Sequence, residues 1–177
     1  LAKSGETPEN WAVLEKYREV VEIRSQHLRA VIDSIFDLSS ACTEEISSPL
    51  VPCDLRSLCS DVIEDQRTLS ARAIELAFPA HPIMLAVDGK RLFQVLSQLV
   101  SNAVKYSPDD SIVTIRVYAE KHTVTLQVHN GGPALSPEQL DHLFDPFYRT
   151  PEVQYSPILG WGLGLTMSQA IVERHGG

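Results

Sequence analysis

The sequence predicts an α+β fold, a two-layer α/β sandwich preceded by a long bundle-forming helix. Three observations lead there. Residues 10–41 carry an apolar stripe of heptad period. Residues 111–119 and 123–130 alternate apolar and polar side chains, as half-buried antiparallel strands do. Amphipathic helical patterns at 54–73 and 88–106 precede those strands and supply the second layer.

The heptad stripe rests on Leu14, Val21, Leu28 and Ile35, with Tyr17, Val31 and Leu38 in the second seam position and Arg24 as its one break. Thr7, Pro8 and Glu9 open it with a cap, a first-turn proline and an acid at the positive helix end. Such a stripe needs partner helices to be buried. A linker is expected at 43–54, where Pro49 and Pro52 interrupt helix and Ser47 and Ser48 favour turns. Beyond it come a helix capped by Asp54, short strands at 74–79 and 83–87, a second helix after Asp88, and the strand pair. A short helix follows with capping-box spacing between Ser136 and Gln139. Residues 145–161 show no period, as in a functional lid, before a last helix from 162.

With 177 residues, 44% of them hydrophobic, the chain can bury a real core. Its formal net charge of -8 offers no basic field for a nucleic-acid backbone, so no nucleic acid is expected as partner. No apolar run is long enough to cross a bilayer and the first residues lack a signal-peptide layout. A cytoplasmic chain without direct membrane contact is therefore expected. Cys42, Cys53 and Cys59 lack C-x-x-C spacing and read as reduced structural thiols.

One polar stripe interrupts the helix after Asp88. Gln98, Asn102 and Lys105 are four and three residues apart and project from one face. An amide within an apolar helix face must find partners or cost roughly 1 to 3 kcal/mol. Its oxygen suits hard Mg²⁺, which takes its other ligands from water and substrate phosphates, and a lysine one turn on can meet those phosphates. Equally, such an asparagine can simply tie down a neighbouring loop. Gly131 and Gly132 directly follow a strand, where glycine lets backbone approach a planar ligand or turn. Gly160, Gly162 and Gly164 lead into a helix whose free amides could hold phosphate. Their spacing is not that of a dinucleotide fingerprint or a P-loop.

Taken in order, "QLVSNAVKYSP", "VHNGGPALSPEQLDHLFDPFYR" and "GWGLGLTMSQAIVERHGG" closely resemble the N, G1, F and G2 boxes of sensor histidine kinases, at the right separations. The resemblance implies that residues 1–46 are part of a dimerisation and phosphotransfer region, its second hairpin helix. It implies that 54–177 are the catalytic ATP-binding domain, a Bergerat-type sandwich shared with DNA gyrase, without the strands that normally finish it. It also implies ATP and Mg²⁺ as cofactors, a homodimer through the hairpin, relay to a response regulator receiver domain, and the cytoplasmic portion of what can be a membrane-bound sensor. Asn102 would carry Mg²⁺ and, with Lys105, serve catalysis. The nucleotide would lie on Asn102, Lys105, Tyr106, Asn130, Gly132, Arg149, Gly160, Gly162, Leu163 and Gly164, under a lid at 144–161. Phe144 and Phe147 read as core anchors of that lid, and His129 and His142 as exposed or satisfied.

The chain departs from the family pattern at three places. Asn130 stands where most members carry an adenine-binding Asp, so weaker binding is expected. Ala134 replaces a glycine and would cost roughly 1 to 2 kcal/mol if its backbone were left-handed. No segment of these 177 residues matches the phosphoacceptor box, a histidine followed by an acid and then a Thr/Asn-Pro pair, and His27 is followed by Leu28 and Arg29. The chain therefore reads as an excerpt of a longer kinase; the alternative is a degenerate domain that binds ATP as a regulatory module. Gyrase-like ATPases resemble this pattern but place a catalytic glutamate where this chain has Gln98, which cannot take a proton from water.

Overall fold

The computed structural model describes residues 8–43, 50–154 and 160–177, and the chain falls into two compact units that divide between Asp37 and Leu38. Helix α1 (Pro8–Thr43) runs for 36 residues without a break. Of its heptad side chains, Leu14, Tyr17, Val21, Leu28 and Ile35 are exposed and Val31 is half-buried. The side chains of Leu38 and His27 lie outside the described residues.

The second unit begins with β1 (Val51–Asp54), in a stretch whose prolines read as linker. Residues 44–49 of that stretch lie outside the described ones. Strand β1 pairs antiparallel with β3 (Met84–Val87), Val51 opposite Val87, in a two-stranded sheet. Pro52 is compatible with that strand because either member of a two-stranded sheet is an edge, and one side needs no ladder donor. Asp54 then caps α2 (Leu55–Leu69), accepting from the Arg56 amide at 2.9 Å.

The larger sheet has the order β2-β4-β5. Strand β2 (Ile74–Ala77) runs parallel to β4 (Val113–Glu120), and β5 (Thr123–His129) lies antiparallel to β4 with Thr114 opposite His129. Period-two alternation sorts the faces. Val113, Ile115 and Val117 are buried, while Arg116, Tyr118 and Glu120 are exposed. Against the buried face pack Leu55, Leu58, Cys59, Val62 and Ile63 of α2 and Leu96, Val100 and Ala103 of α3 (Gly89–Lys105). This is the expected two-layer α/β sandwich. Cys53 and Cys59 are free thiols, and burial pushes the Cys59 thiol up to about 11, so it behaves as a small apolar side chain. The Cys42 side chain lies outside the described residues.

Two joints set the frame of the site. Asp88 caps α3 by accepting from the amides of Lys90 and Arg91, at 3.0 and 3.1 Å. Its own amide donates to His175 Nε2 at 3.1 Å, and His175 Nδ1 lies 2.8 Å from the Ile171 carbonyl. The end of α6 (Gly164–Arg174) is thereby pinned to the start of α3, and Val95, Met167 and Ile171 fill the seam between the two helices. Ser136 and Gln139 make both bonds of the expected capping box at the head of α4 (Pro137–Asp141). The aperiodic stretch is not wholly loop, since Pro151–Gln154 form a one-turn helix, α5. Among the described residues, no helix is long and apolar enough to cross a membrane.

Candidate functional site

Asn102 sits half-buried in the last turns of α3, and its question is answered by its neighbours. Its Oδ1 accepts from Gln98 Nε2 at 3.0 Å. A carbonyl oxygen has two lone pairs, so one stays open to a cation. Gln98 in turn lies flat against the first residue of α6. A Cβ placed on Gly164 would stand 2.3 Å from Gln98 Cδ and Nε2, so a larger residue there would push the Gln98 amide aside. One amide thus joins the polar stripe of α3 to the start of α6, two segments 62 positions apart in sequence counted from Asn102 to Gly164.

The start of α6 has no side-chain cap. Leu163 precedes it with a buried side chain and makes no side-chain cap bond, so the first-turn amides carry the positive helix end without a side-chain acceptor from the cap position. Leu163 therefore enters the site only through its backbone. Gly162 has φ of 69°, and a Cβ there would stand 2.5 Å from the Tyr148 carbonyl oxygen. It faces Phe147, whose amide donates to the Gly162 carbonyl at 2.9 Å. Thr166 Oγ1 adds a bond to the Phe144 carbonyl at 2.8 Å. Residues 144–148 and 162–166 are thereby clasped together.

A third contact brings in the loop after β5. A Cβ on Gly132 would lie 2.5 Å from the carbonyl oxygen of Tyr106, the C-cap of α3, and 2.7 Å from Asn130 Nδ2. The end of α3 and the Asn130–Gly132 loop are therefore in direct backbone contact. Lys105 closes α3 with an exposed side chain, and partial loss of hydration at its ammonium lowers its pKa from the usual 10.5.

Several sequence expectations differ from what is observed. Phe144 and Phe147 are not core anchors, being 45% and 61% exposed. Phe147 is the one non-glycine residue with positive φ (66°) among the described residues, held there by its bond to Gly162. Ala134 has no left-handed backbone and so carries no such strain. Arg149 Nη2 donates to the Val153 carbonyl at 2.8 Å, within its own segment, and Gln139 Nε2 reaches Glu152 Oε2 at 3.2 Å from α4. Gly160 has open space where a Cβ would stand. His142 is exposed and bonds Asp145 at 2.7 Å, and His129 is exposed.

The sequence model of the family described as histidine kinase-, DNA gyrase B-, and HSP90-like ATPase matches residues 87–177. The chain belongs to this family. Within it, the ATPase domain is of the sensor histidine kinase kind. It is 36% identical over 104 residues to the sensor protein KdpD of Clostridium acetobutylicum, covering 59% of this chain and 12% of that one. It is likewise 36% identical over 106 residues to the sensor histidine kinase CusS of Escherichia coli K12, covering 60% of this chain and 22% of the relative. Full-length ShkA in complex with AMPPNP superposes with a TM-score of 0.71 at 25% identity, covering 98% of this chain and 35% of that one. The matched region is thus between about an eighth and a quarter of the curated relatives' length. Its fold is the Bergerat-type sandwich, and ATP is its nucleotide.

Proposed function

We propose that this ATPase domain binds Mg·ATP between α3, the Asn130–Gly132 loop and the start of α6, and transfers the γ-phosphoryl group to a histidine on a helix outside these 177 residues. The phosphoryl group would then pass to a response regulator, with the hairpin helices pairing two copies of the protein. The observation that carries this reading is the Gln98 amide, which contacts Gly164 and donates to Asn102 in one stroke. It brings the Asn102 carbonyl oxygen and the first residue of α6 onto one side chain, which supports the placement of cation and phosphates there.

Each residue then has a task. Asn102 Oδ1 would hold Mg²⁺, which neutralises charge on the transferring phosphates. No group of three His, Cys, Asp or Glu side chains suited to a metal stands among the described residues. A single amide ligand therefore fits a cation whose remaining ligands are phosphate oxygens and water. The α6 amides at Gly164, reached past Gly160, Gly162 and Leu163, would receive phosphate oxygens, and Lys105 would add a point charge. Tyr106 and Gly132 would bound the base, with Asn130 bonding its edge. Arg149 would come from the lid. Such transfer depends on positioning and charge stabilisation, and Gln98 cannot act as a base toward water, which favours transfer over hydrolysis.

Lys105 gives this reading a pH signature. Its lowered pKa means that the ammonium discharges at a lower pH than an ordinary lysine. Phosphate binding that needs the cation is full below that pKa and fades as pH rises through it. ATP affinity of the unmodified chain should fall on the alkaline side, and Lys105→Arg, which stays charged, should remove that fall. Parallel profiles for the two proteins would contradict the role of Lys105.

Phosphotransfer is tested by incubating labelled Mg·ATP with this chain alone, and with a longer chain in which the heptad helix is preceded by a helix carrying an intact acceptor box. Acid-labile phosphohistidine is expected only in the second. Labelling of His27 or any other histidine in the first would overturn the division of roles. An unlabelled longer chain that still binds ATP would favour a domain that binds nucleotide without transfer, the reading that Asn130 at the base edge supports.

A further inference from the structure

We propose that Arg72 is a positioning residue for the base end of the nucleotide site, locking the turn after α3 against the Asn130–Gly132 loop so that the Asn130 amide keeps one orientation. The inference rests on the placement of the base proposed above.

Arg72 leads into β2, remote in sequence from every motif of the site, and its side chain is only 8% exposed. Its Nη1 donates to the Pro108 carbonyl and, at 3.2 Å, to Ser111 Oγ, while Nη2 pairs with the exposed Asp109 carboxylate at 3.2 Å. The same Pro108 carbonyl accepts from the Ser111 amide at 3.1 Å and from Ser111 Oγ at 2.8 Å. One guanidinium therefore gathers the whole 108–111 turn.

The end of that turn, and Tyr106 two residues before its start, touch the loop that carries Asn130. Ser111 Cβ lies 3.3 Å from where a Cβ on Gly131 would stand, and the Tyr106 carbonyl oxygen lies 2.5 Å from the corresponding point on Gly132. A side-chain amide donates from one end and accepts at the other, so what Asn130 reads depends on how firmly it is oriented. The arrangement is not the cheapest way to fill the space. Arg72 Nε is buried and has no hydrogen-bond partner among the described residues. An apolar side chain of similar length would be buried there at no greater cost, because Asp109, the charge left behind, is already in water. Holding the turn in register accounts for a buried guanidinium where packing alone does not.

The test is calorimetric titration of the whole chain, the unmodified protein and folded Arg72→Met and Arg72→Lys, with ATP, GTP and inorganic tripolyphosphate. Arg72→Met should reduce the preference for ATP over GTP by about tenfold, the scale of losing hydrogen bonds from a charged group. Arg72→Lys should restore part of it, and tripolyphosphate affinity should not change. Equal losses for ATP and GTP, with the ratio kept, would show a merely structural role and overturn the inference. If Arg72→Met does not fold, Ser111→Ala removes one of the clamp's bonds from the turn and should lower the same ratio; an unchanged ratio would overturn the inference as well. Failure of the unmodified chain to bind ATP would overturn the placement of the base itself.

Discussion

Gly132→Ala is expected to cost about ten- to a hundredfold in ATP affinity, the equivalent of roughly 1.5 to 3 kcal/mol for forcing a methyl into a packed contact. The added carbon would stand 2.5 Å from the Tyr106 carbonyl oxygen and 2.7 Å from Asn130 Nδ2. The first of these is backbone at the C-cap of α3, where the Tyr106 amide already bonds the Asn102 carbonyl at 3.0 Å. Relief would require lifting the loop from the helix end or unwinding the turn that carries Asn102, and either moves the site. Gly132 does not have positive φ, so space and not backbone conformation is what alanine lacks. Gly131→Ala is the control. Its carbon would meet only the Ser111 side chain, Cβ at 3.3 Å and Oγ at 3.7 Å, a contact that can yield by a few tenths of an ångström. It should stay within about threefold of the unmodified chain, the range of an ordinary surface substitution. Calorimetry on folded protein checks both, and equal affinity of Gly132→Ala and the unmodified chain would remove the loop from the site.

Long, strongly patterned elements were legible in the sequence. The apolar face of α3, the alternation of β4 and β5 and the glycines before α6 each leave a period or a punctuation mark that local rules can read. Strand β1 was not legible, because its four residues include Pro52 and their partners lie 30 to 36 residues on. Helix α5 is one turn long, too short for any period to show. The polar stripe of Gln98, Asn102 and Lys105 could be seen on one helix face, but that Gln98 abuts Gly164 is a tertiary fact, with no trace in the spacing of either segment. Arg72 is invisible for the same reason, being a single arginine before an apolar strand whose partners lie in a turn some 36 to 39 residues away. Phe144 and Phe147 were misread by the rule that aromatic side chains are buried. The clasp to Gly162 fixes the backbone of Phe147 and turns its ring outward.

The central claim is that Asn102 offers its oxygen to a cation held with the nucleotide. Titrating ATP into the chain with and without Mg²⁺, for the unmodified protein and Asn102→Ala, tests it most directly. Loss of a direct ligand should cost at least the roughly 10- to 100-fold that loss of a ligand's outer partner costs. Gln98 would be left without its acceptor at Asn102 Oδ1 in the variant, so thermal stability is to be measured alongside. The account predicts that Mg²⁺ strengthens ATP binding to the unmodified chain and has no effect on binding to folded Asn102→Ala. An undiminished Mg²⁺ effect in the variant would contradict it.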